Sequence, residues 1–269
     1  MNRTIATMLG MGLATLILVD SANATPSRPL YIDDDFGQIG LVDLGTRTVT
    51  VLGQSGVLFT DIAFNTAGDL YGTSFTSLYS INKTTGAATL VGDYGVTGAS
   101  GINGLVGYGT GLLATSFTTN NVYAIDTAPF AITTLTGTST GASAGDLAFA
   151  VTGGTLYGTL IDGNLAQLAI SGSTVTATTV GNTGNGTVYG LATGDDGITY
   201  AVSGTQIYTV DLSTAVLTPL FDYAGQGLSN AYGTAFFGEA PVPTPEPATL
   251  ALLGTGLLGL LGLRRANRT

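Results

Sequence analysis

The sequence predicts an all-β fold, a five-bladed β-propeller, from a repeat, one split copy of that repeat and the composition. A Tyr or Leu marks the second predicted strand of each copy, with steps of 40, 42, 44 and 43 residues. These markers are Tyr31, Tyr71, Leu113, Tyr157 and Tyr200. Periods of about 40–45 residues with four short strands each are typical of propeller blades. A β-solenoid and a β-sandwich are the alternative architectures.

Each copy of the repeat contains segments of alternating apolar residues, which a sheet packed against neighbouring sheets requires. Residues 61–64, 68–73, 78–82 and 88–92 form the clearest copy, and three more follow between residues 104 and 220. The fifth copy is split, with its last three strands within residues 29–53 and its first strand at residues 231–237. Pairing of this C-terminal strand with the N-terminal blade closes the ring and removes an edge at which strands could pair wrongly.

The composition supports short strands and tight turns, because 41 of the 269 residues are Gly and only 9% are charged. The chain has no Cys, so its core and hydrogen bonds must stabilise it without disulfides. Residues 25–247 carry a net charge of −13. An acidic body is repelled by phosphate backbones, which excludes nucleic acid and leaves cations, neutral glycans and basic surfaces as partners.

The N-terminus predicts a secretory signal peptide over residues 1–24. Met1-Asn2-Arg3 supplies a basic start, an apolar run extends to Val19, and Ala22-Asn23-Ala24 is a small-x-small cleavage site. We expect signal peptidase to cleave after Ala24. The alternative is an uncleaved N-terminal anchor, for which the apolar run is short.

The C-terminus has three parts that together predict membrane attachment of the propeller domain, residues 25–238. A Pro-rich linker at residues 239–247 ends in Pro245-Glu246-Pro247. Residues 248–263 form an apolar run of 16 residues, predicted to be a transmembrane helix although about 20 residues usually span. Arg264 and Arg265 open a basic tail at residues 264–269, which the positive-inside rule places in the cytoplasm.

This end resembles the PEP-CTERM sorting signal, in which a Pro-Glu-Pro motif, an apolar helix and a basic tail are recognised by a membrane protease called exosortase. The resemblance implies that exosortase processes the chain near Pro245, Glu246 and Pro247. It also implies a tether in the inner membrane before processing, and a later place at the cell surface or in an exopolysaccharide matrix. The alternative is a plain C-terminal anchor that a Pro-Glu-Pro sequence precedes by coincidence.

A candidate binding site follows from the propeller architecture, in which the loops before first strands and those between second and third strands share one face. Carboxylates and Tyr rings there could bind a sugar through stacking and hydrogen bonds, or Ca²⁺ through oxygen ligands. No other cofactor is predicted, and the alternative is a solvated acidic face. The candidate residues are Asp34, Asp35, Asp61, Asn103, Asp146, Asp162, Tyr189 and Tyr232.

Two functions fit the sequence. Because the chain has neither His nor Cys, it lacks Ser-His-Asp and Cys-His catalysis and the usual Zn and Cu ligands. Near-equal repeats favour a non-catalytic interaction platform for exopolysaccharide or an envelope protein. The alternative is a secreted carbohydrate-active enzyme that uses paired carboxylates at the mouth of the propeller channel.

Overall fold

The computed structural model describes residues 25–96, 101–137, 141–150 and 154–239. Twenty β-strands in these ranges form five antiparallel blades, which confirms the five-bladed propeller. Blade A contains β1 (Leu30–Asp34), β2 (Gln38–Asp43), β3 (Thr48–Gln54) and β20 (Ala231–Phe236). Blade B contains β4 (Asp61–Phe64), β5 (Leu70–Thr73), β6 (Ser77–Ile81) and β7 (Ala88–Asp93).

The other three blades repeat this order along the chain. Blade C contains β8 (Ile102–Tyr108), β9 (Gly111–Ser116), β10 (Val122–Thr127) and β11 (Phe130–Gly137). Blade D contains β12 (Ser143–Phe149), β13 (Leu156–Leu160), β14 (Asn164–Ser171) and β15 (Thr174–Asn182). Blade E contains β16 (Gly190–Thr193), β17 (Thr199–Ser203), β18 (Gln206–Val210) and β19 (Leu217–Asp222). One short 3-10 turn, Tyr94–Val96, follows β7.

The predicted C-terminal apolar helix lies outside the described residues, as do the signal peptide, the Pro-Glu-Pro motif and the basic tail. Their boundaries stay predictions. Within the four described ranges, no helix is long and apolar enough to cross a membrane. One feature was not predicted: the outer strands of blades C and D, β11 and β15, pair in parallel over two residues.

The ring closes through blade A, as the split repeat predicts. β20 pairs antiparallel with β1, with Leu30 opposite Phe236 and Asp33 opposite Gly233. The closure is also a packing event, because Leu30 and Ile32 are fully buried against blade E, whereas Tyr31 faces blade B and meets Phe64 edge-to-face. The alternating residues of one strand therefore join two neighbouring blades.

In the turns between third and fourth strands, Asp and Asn side chains accept hydrogen bonds from backbone N–H groups. The Asp43 carboxylate accepts hydrogen bonds from the N–H groups of Gly45 and Thr46, and Asn82 accepts them from Thr84 and Thr85. Asp211 accepts one from Ser213 in the same way. Asp126 differs, because it pairs with Ala131 inside a tighter hairpin.

We define the upper face as the side formed by the turns between second and third strands and by the connections between blades. These turns are residues 35–37, 74–76, 117–121, 161–163 and 204–205. Backbone bonds hold the two sets of loops together: Ser55 N–H donates to Gly37 O at 2.9 Å and Phe117 N–H to Gly101 O at 3.1 Å. The two sets of loops therefore lie on one face, as the sequence analysis predicts.

Both described chain ends lie on the opposite side, which we call the lower face. Residues 25–29 lead into β1, and residues 237–239 follow β20, at paired ends of two antiparallel strands. Ser27 N–H donates to the Asp195 carboxylate at 2.8 Å, and Arg28 Nη1 donates to Phe237 O at 2.7 Å. The described part of the chain therefore begins and ends at the lower face.

Asp34 joins the two halves of the closing blade on the upper face. Its buried carboxylate accepts hydrogen bonds from Phe36 N–H and Gln38 N–H in the adjacent turn, at 3.0 and 2.8 Å. It also accepts one from Ser229 N–H, at 3.0 Å, in the connection from blade E to β20.

We expect Asp34→Ala to lower the free energy of unfolding by about 2–4 kcal/mol, because it leaves several backbone donors without an acceptor. Urea denaturation followed by circular dichroism measures the loss. Asp34→Asn keeps one acceptor oxygen and should lose clearly less. Equal stability of Asp34→Ala and the unmodified chain would show that water satisfies these donors.

Candidate functional site

The centre of the propeller is lined by one strand from each blade. β20, β4, β8, β12 and β16 lie side by side around the axis, each next to two others. One position is equivalent in all five strands, and it holds only two residue types, Asp and Gly. In order along the chain these residues are Asp61, Gly104, Asp146, Gly190 and Gly233.

The residue after this position presents its N–H group to the axis in every blade. Asp61 accepts the N–H groups of Ile62 and Leu105, at 2.7 and 2.5 Å. Asp146 accepts those of Leu147 and Leu191, both at 2.6 Å. It further accepts Thr234 N–H at 3.2 Å and Thr234 Oγ1 at 3.0 Å. Two carboxylates therefore bind one N–H group from each of the five blades, and they join the inner ring.

Gly at the remaining positions leaves room for these two carboxylates. A Cβ on Gly233 would lie 2.6 Å from Asp33 Oδ1 and closer still to Asp61. Such a distance is a hard steric overlap. The axis can thus hold acidic side chains only where a neighbouring strand contributes no side chain.

The side chains of Asp61 and Asp146 are hydrogen-bonded to each other, which requires one proton between them. Burial, followed by repulsion from Asp146, raises the pKa of Asp61 well above its usual range. Burial likewise raises the pKa of Asp146 to about 8, although its hydrogen-bond donors act in the opposite direction. The pair therefore holds at least one proton at neutral pH.

Asp33 adds a third carboxyl group to this cluster. It is fully buried, and neither carboxyl oxygen accepts a hydrogen bond of good geometry. Burial, then repulsion from Asp146 and Asp34, raises the pKa of Asp33 well above its usual range, although the nearby N–H groups of Asp33 and Gly233 lower it. The basic residues of the described chain lie elsewhere, since Arg28 precedes β1, and Arg47 and Lys83 follow third strands. Asp33 is therefore expected to stay protonated at neutral pH.

Glu239 closes the lower end of the ring. Glu239 is half-buried as a residue, and its carboxylate accepts Thr193 N–H at 2.9 Å and Phe236 N–H at 3.4 Å, at the ends of two inner strands. Burial, then repulsion from Asp146, raises the pKa of Glu239 well above its usual range. Glu239 thus connects the end of the propeller to its core.

The structure divides the eight predicted site residues into two groups. Asp34, Asp61 and Asp146 are fully buried, and Asn103 is nearly so, with its amide donating to Ser143 O at 2.9 Å. The exposed or half-buried members of the set are Asp35, Asp162, Tyr189 and Tyr232. A ligand on the upper face would meet the second group, and binding by any of the eight stays a prediction.

Tyr189 and Tyr232 come together at the upper end of the inner ring of strands. Their rings meet edge-to-face, with centroids 6.0 Å apart. Asp35 and Asp162 lie further out, in the second-to-third turns of blades A and D, and Asp35 accepts a hydrogen bond from Asn230 Nδ2 at 2.9 Å. The upper face thus carries carboxylates around a central pair of Tyr rings.

Sequence reasoning missed a set of apolar side chains on the same face. Four of the five second-to-third turns carry a large exposed apolar residue. These residues are Phe36, Phe75, Phe117 and Ile161, with exposed fractions of 67%, 48%, 42% and 60%. The repeat alignment contained a signal for them, because an apolar residue stands where a turn needs none.

The part of the chain that the structure describes contains no cluster of ligands that matches the predicted Ca²⁺ site. There, no three Asp, Glu, His or Cys side chains are arranged to hold one metal ion. The binding of Ca²⁺ stays a prediction from composition.

Comparison with known proteins decides the nature of the C-terminal segment. Residues 243–266 match the family described as the PEP-CTERM protein-sorting motif. The chain carries a PEP-CTERM sorting signal. The signal implies an exported protein that is anchored in the membrane before exosortase processes it. It covers none of the propeller, whose function it leaves open. No curated protein matches the chain.

Three solved structures are similar to this chain, and the one with a TM-score above 0.5 shares its propeller fold. A chain of a nidogen/laminin complex is 12% identical, with a TM-score of 0.54, over 80% of this chain and 100% of that one. A symmetrical protein from a study of de novo evolutionary emergence is 17% identical, with a TM-score of 0.48, over 81% and 100%. A protein of unknown function from Bacteroides caccae is 11% identical, with a TM-score of 0.46, over 80% and 100%. At 12% identity the likeness to the nidogen/laminin chain shows the fold alone.

Proposed function

We propose that this exosortase-sorted protein acts as a non-catalytic interaction platform at the cell surface or in an exopolysaccharide matrix. The observation that supports this role most is the use of the central carboxylates. Asp61 and Asp146, which lie at the centre of the ring, are fully buried and bind backbone N–H groups of the inner strands. Side chains engaged in this way join the blades and are shielded from a substrate.

The sorting half of the proposal is tested by mass spectrometry of the protein recovered from the envelope and medium of a host with an exosortase. We expect an N-terminus at Thr25 and a C-terminus near Pro245, because the signal peptide and the PEP-CTERM signal are both processed. The matched variant replaces Pro245, Glu246 and Pro247 with Ala and should keep its C-terminus at Thr269. An unmodified chain that also ends at Thr269 would contradict exosortase processing.

The alternative, a carbohydrate-active enzyme, makes a different prediction for the accessible acids. Its paired carboxylates would have to include the exposed Asp162 and the half-buried Asp35, because the other predicted site acids are fully buried. Release of reducing ends from soluble polysaccharides measures hydrolysis directly. Activity that disappears in Asp35→Asn or Asp162→Asn would support the enzyme, whereas no activity in the unmodified chain supports the platform.

A further inference from the structure

We propose that the upper face is the binding surface, and that its ligand is a neutral polysaccharide which contacts the apolar residues of the second-to-third turns. This inference rests on the proposed platform function and names its surface and ligand class. The contact residues are Phe36, Phe75, Phe117 and Ile161. Large exposed apolar side chains that cluster on one side of a protein mark interaction sites, whereas single ones are ordinary.

The apolar side chains occupy one repeated place in the architecture. Each stands in the turn between the second and third strand of its blade, in blades A to D. Phe75 and Phe117 meet across the border of blades B and C, edge-to-face with centroids 5.2 Å apart. In the connection from blade A to blade B, Leu58 adds another exposed apolar side chain. A surface that repeats one contact around a ring fits a ligand that itself repeats.

The negative charge of the upper face favours neutral polymers over anionic polymers as its ligand. Asp35 and Asp162 lie in its turns, and none of its turns or connections contains a Lys or Arg. The basic residues of the propeller are Arg28, before β1, and Arg47 and Lys83, between third and fourth strands. Anionic polymers and phosphate-bearing surfaces would be repelled, and a second copy would bring acid against acid.

Polar groups suited to sugar hydroxyls flank the apolar contacts. Asp162 and Asn164 follow Ile161, with the Asn164 amide 2.8 Å from the Asp162 carboxylate. Ser74 and Thr76 flank Phe75, and Thr118 follows Phe117. Aromatic rings that stack on sugar faces beside hydroxyl, amide and carboxylate groups provide both the apolar and the polar contacts that a neutral glycan needs.

The positions of the two described chain ends determine which way the upper face points relative to the site of attachment. Residues 25–29 and 237–239 lie on the lower face, so the linker to the membrane or to a processed terminus leaves on the side opposite the apolar turns. A propeller attached by its C-terminal linker would present the upper face away from the attachment point. That arrangement suits a surface which binds extracellular polymer.

The test measures binding of the full chain, purified in detergent, to neutral polysaccharides by affinity gel electrophoresis. The probes are dextran, a soluble β-glucan and mannan, with alginate as the anionic control. We expect at least one neutral probe to retard the unmodified chain and alginate to leave it unaffected. The double variant Phe75→Ser/Phe117→Ser should weaken binding about thirtyfold, which corresponds to about 2 kcal/mol, because it removes two aromatic contacts.

A matched double variant, Leu90→Ser/Val216→Ser, removes two exposed apolar side chains outside the upper face and should bind as the unmodified chain does. The inference is overturned if no neutral probe binds, if alginate binds as well, or if both double variants lose binding equally. Self-association that disappears only in the Phe75→Ser/Phe117→Ser variant would instead assign the face to a protein contact. Processing at the PEP-CTERM signal and hydrolysis of polysaccharides are measured in separate experiments. A failure of the binding test therefore does not contradict the proposal of a sorted, non-catalytic protein.

Discussion

Asp146→Ala is expected to be the most destabilising single substitution in the propeller, with a loss on the order of 4 kcal/mol in the free energy of unfolding. Its carboxylate accepts the N–H groups of Leu147, Leu191 and Thr234, which belong to blades D, E and A. Removal of a buried acceptor leaves each donor without a partner, at about 1–3 kcal/mol for a buried group. A domain that is stable by about 5–15 kcal/mol would be close to unfolding.

Thermal and urea denaturation of the purified chain measure this loss, with two matched variants beside it. Asp146→Asn keeps one acceptor and offers a donor to Asp61, so its loss should be smaller. Asp162→Ala removes an exposed carboxylate from the same blade that accepts hydrogen bonds only within its own turn, from Asn164, and should change stability by no more than about 1.5 kcal/mol. Equal midpoints for Asp146→Ala and Asp162→Ala would contradict the joining role of Asp146.

The repeat made the architecture predictable, because blade number and closure depend on sequence spacing alone. Each copy contains one marker residue, such as Tyr71 or Tyr157, so the number of markers gives the number of blades. The predicted strand at residues 231–237 belongs to no complete copy, so it has to complete the N-terminal blade. The parallel contact between β11 and β15 was not predictable in this way. It depends on how far the outer strands of blades C and D extend past their blades.

The site was harder to predict, because sequence spacing does not give the depth of a residue within the ring. Asp61 and Asp35 are the same residue type and cannot be told apart by composition, yet Asp61 is buried in the inner ring and Asp35 lies in a surface turn. The pattern that separates them is the alignment of Asp61 with Gly104 and Gly190. An acid whose equivalents in other blades are Gly has space to turn inwards.

The pH dependence of stability gives the second large effect, and its sign follows from the raised pKa values. Asp33, Asp61 and Asp146 all bind protons more tightly in the folded chain than in the unfolded chain. The stability that they contribute is therefore complete below the unfolded pKa, near 4, and is lost as the pH rises towards the folded values. The lowered pKa values of exposed carboxylates such as Asp43 and Asp211 act below that range.

We accordingly expect the free energy of unfolding to fall by about 1.4 kcal/mol per pH unit for each retained proton between pH 5 and pH 8. Urea titrations at pH 5, 6, 7 and 8 measure the slope. Asp33→Ala removes a buried carboxyl group whose oxygens accept no hydrogen bond of good geometry, so this variant should be more stable than the unmodified chain at pH 8. Its slope should also be shallower by one proton. A flat profile in the unmodified chain, or an Asp33→Ala variant that is less stable at pH 8, would mean that the cluster is ionised and stabilised by groups other than its own protons.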